Sequence, residues 1–276
     1  MTKQFALIGD PISHSLSPLI HNNIFKLKNF KGTYSLLPIK KNELDFFLKT
    51  NTKYEGFNIT MPYKNYIFEK SFEKDYISKM FKAANTAIVK ENKKLSCYNT
   101  DYYGFLKSLS HFDVKLSGNA LLLGLGGAGK VVALICLKSG CNLTVAVRKA
   151  SISKAKDILK NLTNIKNNIN IVDISKIKPI GYDIIINATP IGMTPNENET
   201  PIKKELLFKT KVAIDLIYSP KETVFLKDCK TLNIKTVNGL FMLIFGALRS
   251  NDIFTKTKLK KNDIQTLFEK IKGFLY

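Results

Sequence analysis

The chain has 276 residues, 45% hydrophobic and 24% charged, an ordinary globular composition long enough for two domains of roughly 100–150 residues. No apolar run approaches the ~18 residues of a membrane span. The four cysteines (Cys97, Cys136, Cys141, Cys229) show no CxxC spacing and no paired histidines, so no metal site or disulfide framework is expected. The net charge is +21, yet only Arg148 and Arg249 of the 43 basic residues are arginine, and the lysines run along the whole chain without a basic element interleaved with aromatics. That distribution favours small anionic ligands and speaks against a nucleic-acid surface.

Phe5–Ile8 reads as a first strand ended by Gly9-Asp10-Pro11, too short to be a secretory signal, so a reduced cytoplasmic protein is expected. Ser17 is expected to cap a helix with Pro18 at its first position and Ile20, Ile24 and Leu27 on one face. Tyr34–Ile39 reads as a strand, Asn42 as the cap of a helix carrying Leu44, Phe47 and Leu48, and Gly56–Thr60 as another strand. Thr86–Lys90 and Leu95–Tyr98 flank Asn92-Lys93-Lys94 as a hairpin. A second unit begins near Asn119 with the apolar strand Ala120–Leu123, a glycine-rich turn and a small-residue helix through Leu137. Strands follow at Asn142–Val147, Ile169–Val172, Asp183–Asn187 and Val212–Leu216, with a helix at about Ser153 to Leu162. The segment after Gly239 reads as two helices separated near Thr255.

This alternation predicts an α/β protein of two domains with a cleft between them. An N-terminal α/β substrate domain, residues 1–110 completed by C-terminal helices at 240–276, is followed by a Rossmann-type doubly wound parallel sheet at 111–239, with the boundary inside Lys107–Gly118. Gly124-x-Gly126-x-x-Gly129 directly follows a strand and opens a helix. There the first glycine permits a tight turn, the second close approach of a pyrophosphate, and the third tight helix–strand packing. The helix N-terminus then offers free N–H groups to the phosphates. The next strand ends in Val147-Arg148-Lys149 with no acid to bond a ribose 2′-hydroxyl; a guanidinium suits a 2′-phosphate, which points to NADP.

The first half carries polar clusters at strand ends: Ser13, Ser15 and Ser17 before a helix; Asn58, Thr60 and Lys64; Ala84-Asn85-Thr86; and Asn99-Thr100-Asp101. Hydroxyls at a helix N-terminus suit a carboxylate ligand. His14, His21 and His111 suggest neither a metal nor a triad, and Cys97 reads as a small buried apolar residue.

Taken in order, these segments resemble the shikimate dehydrogenase family: GDPISHSLSPLIHN, GFNITMPYK, AANT, NTDYYGF, LLLGLGGAGK, DIIINATPIGM, DLIYSPKET and NGLFML. The resemblance covers essentially the whole chain. It implies reversible NADPH-dependent reduction of 3-dehydroshikimate to shikimate, in aromatic amino-acid biosynthesis, with no metal, nucleic-acid or membrane partner and a monomeric or homodimeric state. Lys64 and Asp101 match the family's catalytic pair. Ser15, Ser17, Thr60, Asn85 and Tyr218 match substrate ligands, as do Lys64 and Asp101 themselves. Gly124, Leu125, Gly126, Gly127 and Ala128 match the phosphate loop, Arg148, Lys149 and Lys154 the 2′-phosphate contacts, and Asn187, Ala188, Thr189, Leu216 and Gly239 the nicotinamide end. A charged Lys64 that polarises the substrate and a Lys64 that transfers a proton both remain open.

Three departures stand out. Val147-Arg148-Lys149 replaces an Asn-Arg-Thr run, and Lys82 stands where glycine is frequent. The C-terminal helix has Gly246 where a substrate-binding glutamine is usual, either as a replacement or through loss of one residue, and weaker substrate binding or a bridging water is expected there. An NAD-linked quinate/shikimate dehydrogenase and a non-catalytic NADP-binding regulator are the rival readings.

Overall fold

The computed structural model describes residues 1–162 and 168–272. The end of the expected C-terminal segment, 273–276, lies outside the described residues. Contacts divide the chain into two compact units, Met1–Gly104 with Ile244–Tyr276, and Phe105–Leu243.

The first unit runs β1 (Lys3–Gly9), α1 (Ser17–Leu27), β2 (Gly32–Pro38), α2 (Leu44–Thr50), β3 (Gly56–Ile59), α3 (Lys64–Lys70), β4 (Glu73–Lys74), α4 (Tyr76–Phe81), β5 (Thr86–Val89), β6 (Leu95–Tyr98) and the start of α5 (Asp101–His111). The strands form a mixed sheet in the order β2-β1-β3-β5-β6-β4. β1 pairs in parallel with β2 and β3, while β3–β5 and β5–β6 are antiparallel. Both faces of β1 are covered: Ala6 and Ile8 pack with Phe57, Ile59 and Ile67, and Phe5 and Leu7 pack with Phe25, Tyr34 and Phe254. Burial on two faces is why β1 reads as an unbroken apolar run. The β5–β6 hairpin turns at Glu91–Lys93, with Asn92 and Lys93 at positive φ.

Two expected caps are corrected. Ile20 N–H already bonds the Leu16 carbonyl at 3.0 Å, so α1 starts one residue early and Leu16 takes the cap position without a side-chain bond. Phe47 N–H bonds the Glu43 carbonyl at 2.9 Å, so Glu43, not Asn42, precedes α2. Lys82, standing where glycine is frequent in the family, closes α4 in the left-handed conformation at φ 48°. Only a residue without a Cβ adopts that backbone freely.

The second unit contains the remainder of α5, then β7 (Asn119–Leu123), α6 (Gly127–Lys138), β8 (Asn142–Val147), α7 (Ile152–Leu162), β9 (Ile169–Asp173), β10 (Ile184–Asn187), β11 (Val212–Asp215), α8 (Val224–Thr231), β12 (Lys235–Val237) and the start of α9 (Leu240–Thr255). Its sheet is wholly parallel in the order β9-β8-β7-β10-β11-β12. The order reverses between β7 and β10, which is where a doubly wound sheet opens its ligand crevice at the carboxyl ends of the strands. Ala120–Leu123 have no exposed surface, and Val131–Leu137 of α6 are buried on every side.

The rest of α9, from Ile244, and α10 (Lys261–Lys272) complete the first unit. Lys28 at the end of α1 ties to α9 through Asp252 at 2.9 Å and Thr255 Oγ1 at 3.1 Å. His21 is fully buried, stacks on Tyr34 at 4.1 Å, and is held by burial, then by Lys28, down to about 3, so it is a neutral packing group.

Candidate active site

The sheet of the first unit brings its polar clusters to one edge. Asn58 pairs with Thr86, and Thr86 with Tyr98, so the end of β3, the start of β5 and the end of β6 lie side by side. Lys64 is the first residue of α3, Asn85 precedes β5, and Asp101 is the first residue of α5. Lys64 Nζ donates to Asp101 Oδ2 at 2.7 Å, and Asn85 Nδ2 donates to Asp101 Oδ1 at 2.7 Å. The Asn85 amide has one possible orientation: its Oδ1 accepts from the Thr100 backbone N–H at 2.8 Å, an obligate donor, so its NH2 must face the carboxylate. Side chains of Lys64 and Asp101 retain 20% and 19% exposure, enough to meet a ligand while shielded from most of the solvent.

Parallel pairing of Ile8 with Ile59 sets the loop after β1 beside the end of β3, and a Cβ on Gly9 would meet Thr60 Cγ2 at 2.4 Å. Thr60 is half-buried there. In the loop that follows, Ser15 Oγ donates to Ser17 Oγ at 3.0 Å and accepts from the Ser17 N–H at 3.2 Å. Gly246 lies inside an unbroken α9; a Cβ there would stand 3.8 Å from Thr100 Oγ1, in ordinary contact and next to Asp101. Tyr218 is placed elsewhere, half-buried after β11 in the second unit.

In the second unit each glycine of the loop has a separate physical reason. Gly124 sits at φ +86°, and a Cβ there would press on Thr189 Cγ2 at 2.9 Å. Gly126 faces open space, with nothing within 4 Å of an added Cβ, which fits a loop that leaves room for a pyrophosphate. Gly129 would drive a Cβ to 2.6 Å from the Gly124 carbonyl, so only glycine lets α6 pack against the turn. Leu125 and Ala128 are half-buried, and Gly126 and Gly127 are exposed. Gly124 N–H bonds the Ala146 carbonyl at 2.8 Å, which sets the loop beside the end of β8. Arg148 and Lys149 follow that strand, and with Lys154 they are exposed. Lys130 on α6 is held below the usual lysine range by burial, then by Lys154, a local excess of positive charge that suits a phosphate.

Asn187 is fully buried and acts within the protein. Its Oδ1 accepts from Thr189 N–H at 3.0 Å and Thr189 Oγ1 at 2.7 Å, and its Nδ2 donates to Ile191 O and to Asp215 Oδ1. Ala188 N–H continues the sheet to the Leu123 carbonyl at 2.8 Å, and Leu216 N–H bonds the Asn187 carbonyl at 2.9 Å. A Cβ on Gly239 would lie 2.0 Å from the Leu216 carbonyl oxygen.

Sequence reading missed Asp215 as an individual residue. It is fully buried at the end of β11, accepting from Thr223 Oγ1 at 2.7 Å, Ile217 N–H at 3.0 Å and Asn187 Nδ2 at 3.1 Å. Burial raises it from 3.8 to about 6 despite those three donors. A carboxyl with a raised folded-state value binds a proton that the unfolded chain has already released. Its contribution to stability is therefore full below about 4 and is lost as pH rises through about 6. A rise from 3.8 to about 6 corresponds to roughly 3 kcal/mol. Relative to an Asp215→Asn variant, the wild type is expected to lose stability between pH 4 and pH 7, measured by urea denaturation; a pH-independent difference would remove the assignment.

An all-parallel unit with a glycine phosphate loop, in one chain with an α/β unit carrying an ammonium–carboxylate–amide cluster, defines the class of two-domain nicotinamide-dependent dehydrogenases. The family model described as the shikimate dehydrogenase substrate-binding domain matches residues 7–87. A "Shikimate dehydrogenase (NADP(+))" of Clostridium perfringens strain 13 is 36% identical over 278 residues, covering 98% of each chain. Among solved structures, shikimate dehydrogenase 1 of Peptoclostridium difficile is 33% identical with a TM-score of 0.88, covering 99% of both chains. The shikimate 5-dehydrogenase of Thermus thermophilus, in complex with NADP(H) and shikimate, is 26% identical with a TM-score of 0.85, covering 98% of this chain and 99% of that one. The chain belongs to the shikimate dehydrogenase family.

Proposed function

We propose that the protein catalyses the reversible reduction of 3-dehydroshikimate to shikimate with NADPH, as a cytoplasmic enzyme of aromatic amino-acid biosynthesis. The observation that carries the reading is the Lys64–Asp101 pair at 2.7 Å, braced by Asn85. Of the three ammonium protons of Lys64 one is taken by Asp101, and two are left for a substrate. In the reducing direction the ring carbonyl oxygen gains charge as its carbon takes hydride. Lys64 stabilises that oxygen and stands ready to protonate it, while Asp101 and Asn85 hold the ammonium and the ring hydroxyls in place. Ser15, Ser17 and Thr60 hold the substrate carboxylate, and the family resemblance assigns Tyr218 and Gly246 to substrate binding as well.

NADPH supplies the hydride when bound to the second unit. Gly124 to Ala128 would hold its pyrophosphate, Arg148, Lys149 and Lys154 its 2′-phosphate, and Ala188, Thr189, Leu216 and Gly239 its nicotinamide end, with Asn187 shaping that loop. We place the enzyme as a monomer or homodimer. Among the described residues no helix is long and apolar enough to cross a membrane.

Arg148→Ala is expected to raise the KM for NADP+ about ten- to a hundredfold, the value of a charge-assisted bond, with little change for NAD+. An equal effect on both cofactors would remove the 2′-phosphate assignment. The reading as a whole is tested by following NADP+ reduction with shikimate and with quinate. Normal NADP+ binding with zero turnover would favour a regulatory protein, and a preference for NAD+ the quinate/shikimate alternative.

A further inference from the structure

Beneath the candidate catalytic edge lies a buried hydroxyl that the proposed reaction has not used. Ser250, on α9, has no exposed surface, yet its Oγ meets Asn58 Nδ2 at 2.8 Å, Thr86 Oγ1 at 2.8 Å, Thr100 Oγ1 at 3.2 Å and the Gly246 carbonyl at 3.0 Å. The amide groups among these partners have only one option. Asn58 Nδ2 also donates to the Asn85 carbonyl, which can only accept, so its NH2 faces Ser250 and its Oδ1 faces the Tyr34 hydroxyl. Ser250 therefore receives a proton from Asn58 and keeps its own to give. Thr86 Oγ1 stands 2.8 Å from Ser250 Oγ, 3.0 Å from Asn58 Nδ2 and 3.2 Å from Asn85 Oδ1, so it links Ser250 to the Asn85 amide. Acceptors for the Ser250 proton are the Gly246 carbonyl one helical turn earlier at 3.0 Å and the hydroxyls of Thr86 and Thr100.

The result is one connected network: Asn58, Ser250 and Thr86 meet the Asn85 side-chain oxygen, and the Asn85 amino group donates to Asp101, whose other oxygen holds Lys64. Groups linked in such a network polarise one another and restrict each other's rotors. We propose that Ser250 is a positioning residue for the reaction: acting through Thr86 and Asn85, it sets the direction of the Asp101 carboxylate and so of the Lys64 ammonium. Ser250 touches neither substrate nor cofactor in this role. The inference rests on the proposed dehydrogenase activity.

The test compares wild type, Ser250→Ala, Thr86→Val and the double variant by steady-state kinetics of NADP+ reduction with shikimate, alongside thermal unfolding. Each single variant is expected to lower kcat about tenfold, a modest loss for a misaligned catalytic group, with the KM for NADP+ unchanged. Because both act on one network, the double variant should be no worse than roughly the worse single one. A residue that only supports packing would lower the unfolding temperature and leave kcat intact. Turnover of Ser250→Ala within about twofold of wild type, or kcat losses that multiply in the double variant, overturns the inference. Should Ser250→Ala not fold, Thr86→Val decides alone, with undiminished kcat counting against the network. A wild type without turnover sinks the dehydrogenase reading and this inference with it, whereas an active wild type with an indifferent Ser250→Ala sinks the inference only.

Discussion

Lys64→Ala is expected to fold as the wild type does and to lose about a thousandfold in kcat. The magnitude follows from what the ammonium supplies. General acid–base assistance contributes about 10²–10⁴, and a charge placed where an alkoxide develops contributes about 10²–10³; one group serving both ends cannot be credited with their product. Folding should survive, because Lys64 opens α3 at a partly exposed position and the core of that helix rests on Ile67 and Phe68. Asp101 loses its ion-pair partner but keeps the hydrogen bond from Asn85 and 19% side-chain exposure, so its carboxylate is not stranded without a donor. The KM for NADP+ should hardly move, since the residues assigned to the cofactor belong to the other unit. Steady-state kinetics with shikimate and NADP+ checks this; a loss smaller than tenfold would mean that Lys64 is not the group that handles the proton.

Gly239→Ala is expected to lower the unfolding temperature by roughly 6–12 °C, from an overpacking cost of about 3 kcal/mol in a chain of this size. The new Cβ would lie 2.0 Å from the Leu216 carbonyl oxygen and 2.5 Å from its carbon. Both are backbone, so no side chain can swing aside. Backbone retreat is costly on either flank. Gly239 N–H bonds Ile217 O, its carbonyl receives Leu243 N–H, and Leu216 N–H is fixed to Asn187. Whatever shift does occur moves the segment assigned to the nicotinamide end, so cofactor KM should rise along with the loss of stability. Thermal unfolding measured by circular dichroism, beside kinetics, checks both. An unfolding temperature within about 2 °C of wild type, roughly one part in three of the smallest expected change, would show that this backbone yields easily.

The phosphate loop was legible in the sequence because each glycine answers to a constraint of its own: positive φ at Gly124, open space at Gly126 and helix contact at Gly129. Such constraints are local, and local pattern carries them. The Lys64, Asn85 and Asp101 clusters were visible as polar residues at strand ends. Their meeting depends on the sheet order β3-β5-β6, which sequence separation hides and which only resemblance to a family supplied in advance. Ser250 and Asp215 were invisible as individuals. Ser250 is a polar residue on an apolar helix, and only tertiary contact shows that it has four polar neighbours instead of solvent. The caps at Ser17 and Asn42 were misread because the first helical hydrogen bond was already made one residue away on the chain, a choice that propensity does not resolve. β12 is three residues long, with polar Lys235 and Thr236, and leaves no alternation to detect.

The first unit is assembled from two pieces of chain separated by the whole of the second. On a ribosome, where the amino terminus emerges first, Met1–Gly104 must wait for Ile244 and the residues after it before Phe254 can cover Phe5 and Ser250 can reach Thr86. Phe105–Leu243 has no such delay and can settle as soon as it clears the exit tunnel. The unit that carries the Lys64–Asp101 pair is thus the last to mature in a newly made molecule, and a message truncated after residue 243 would yield a polypeptide whose second unit is whole while the polar network behind Asp101 lacks its serine link.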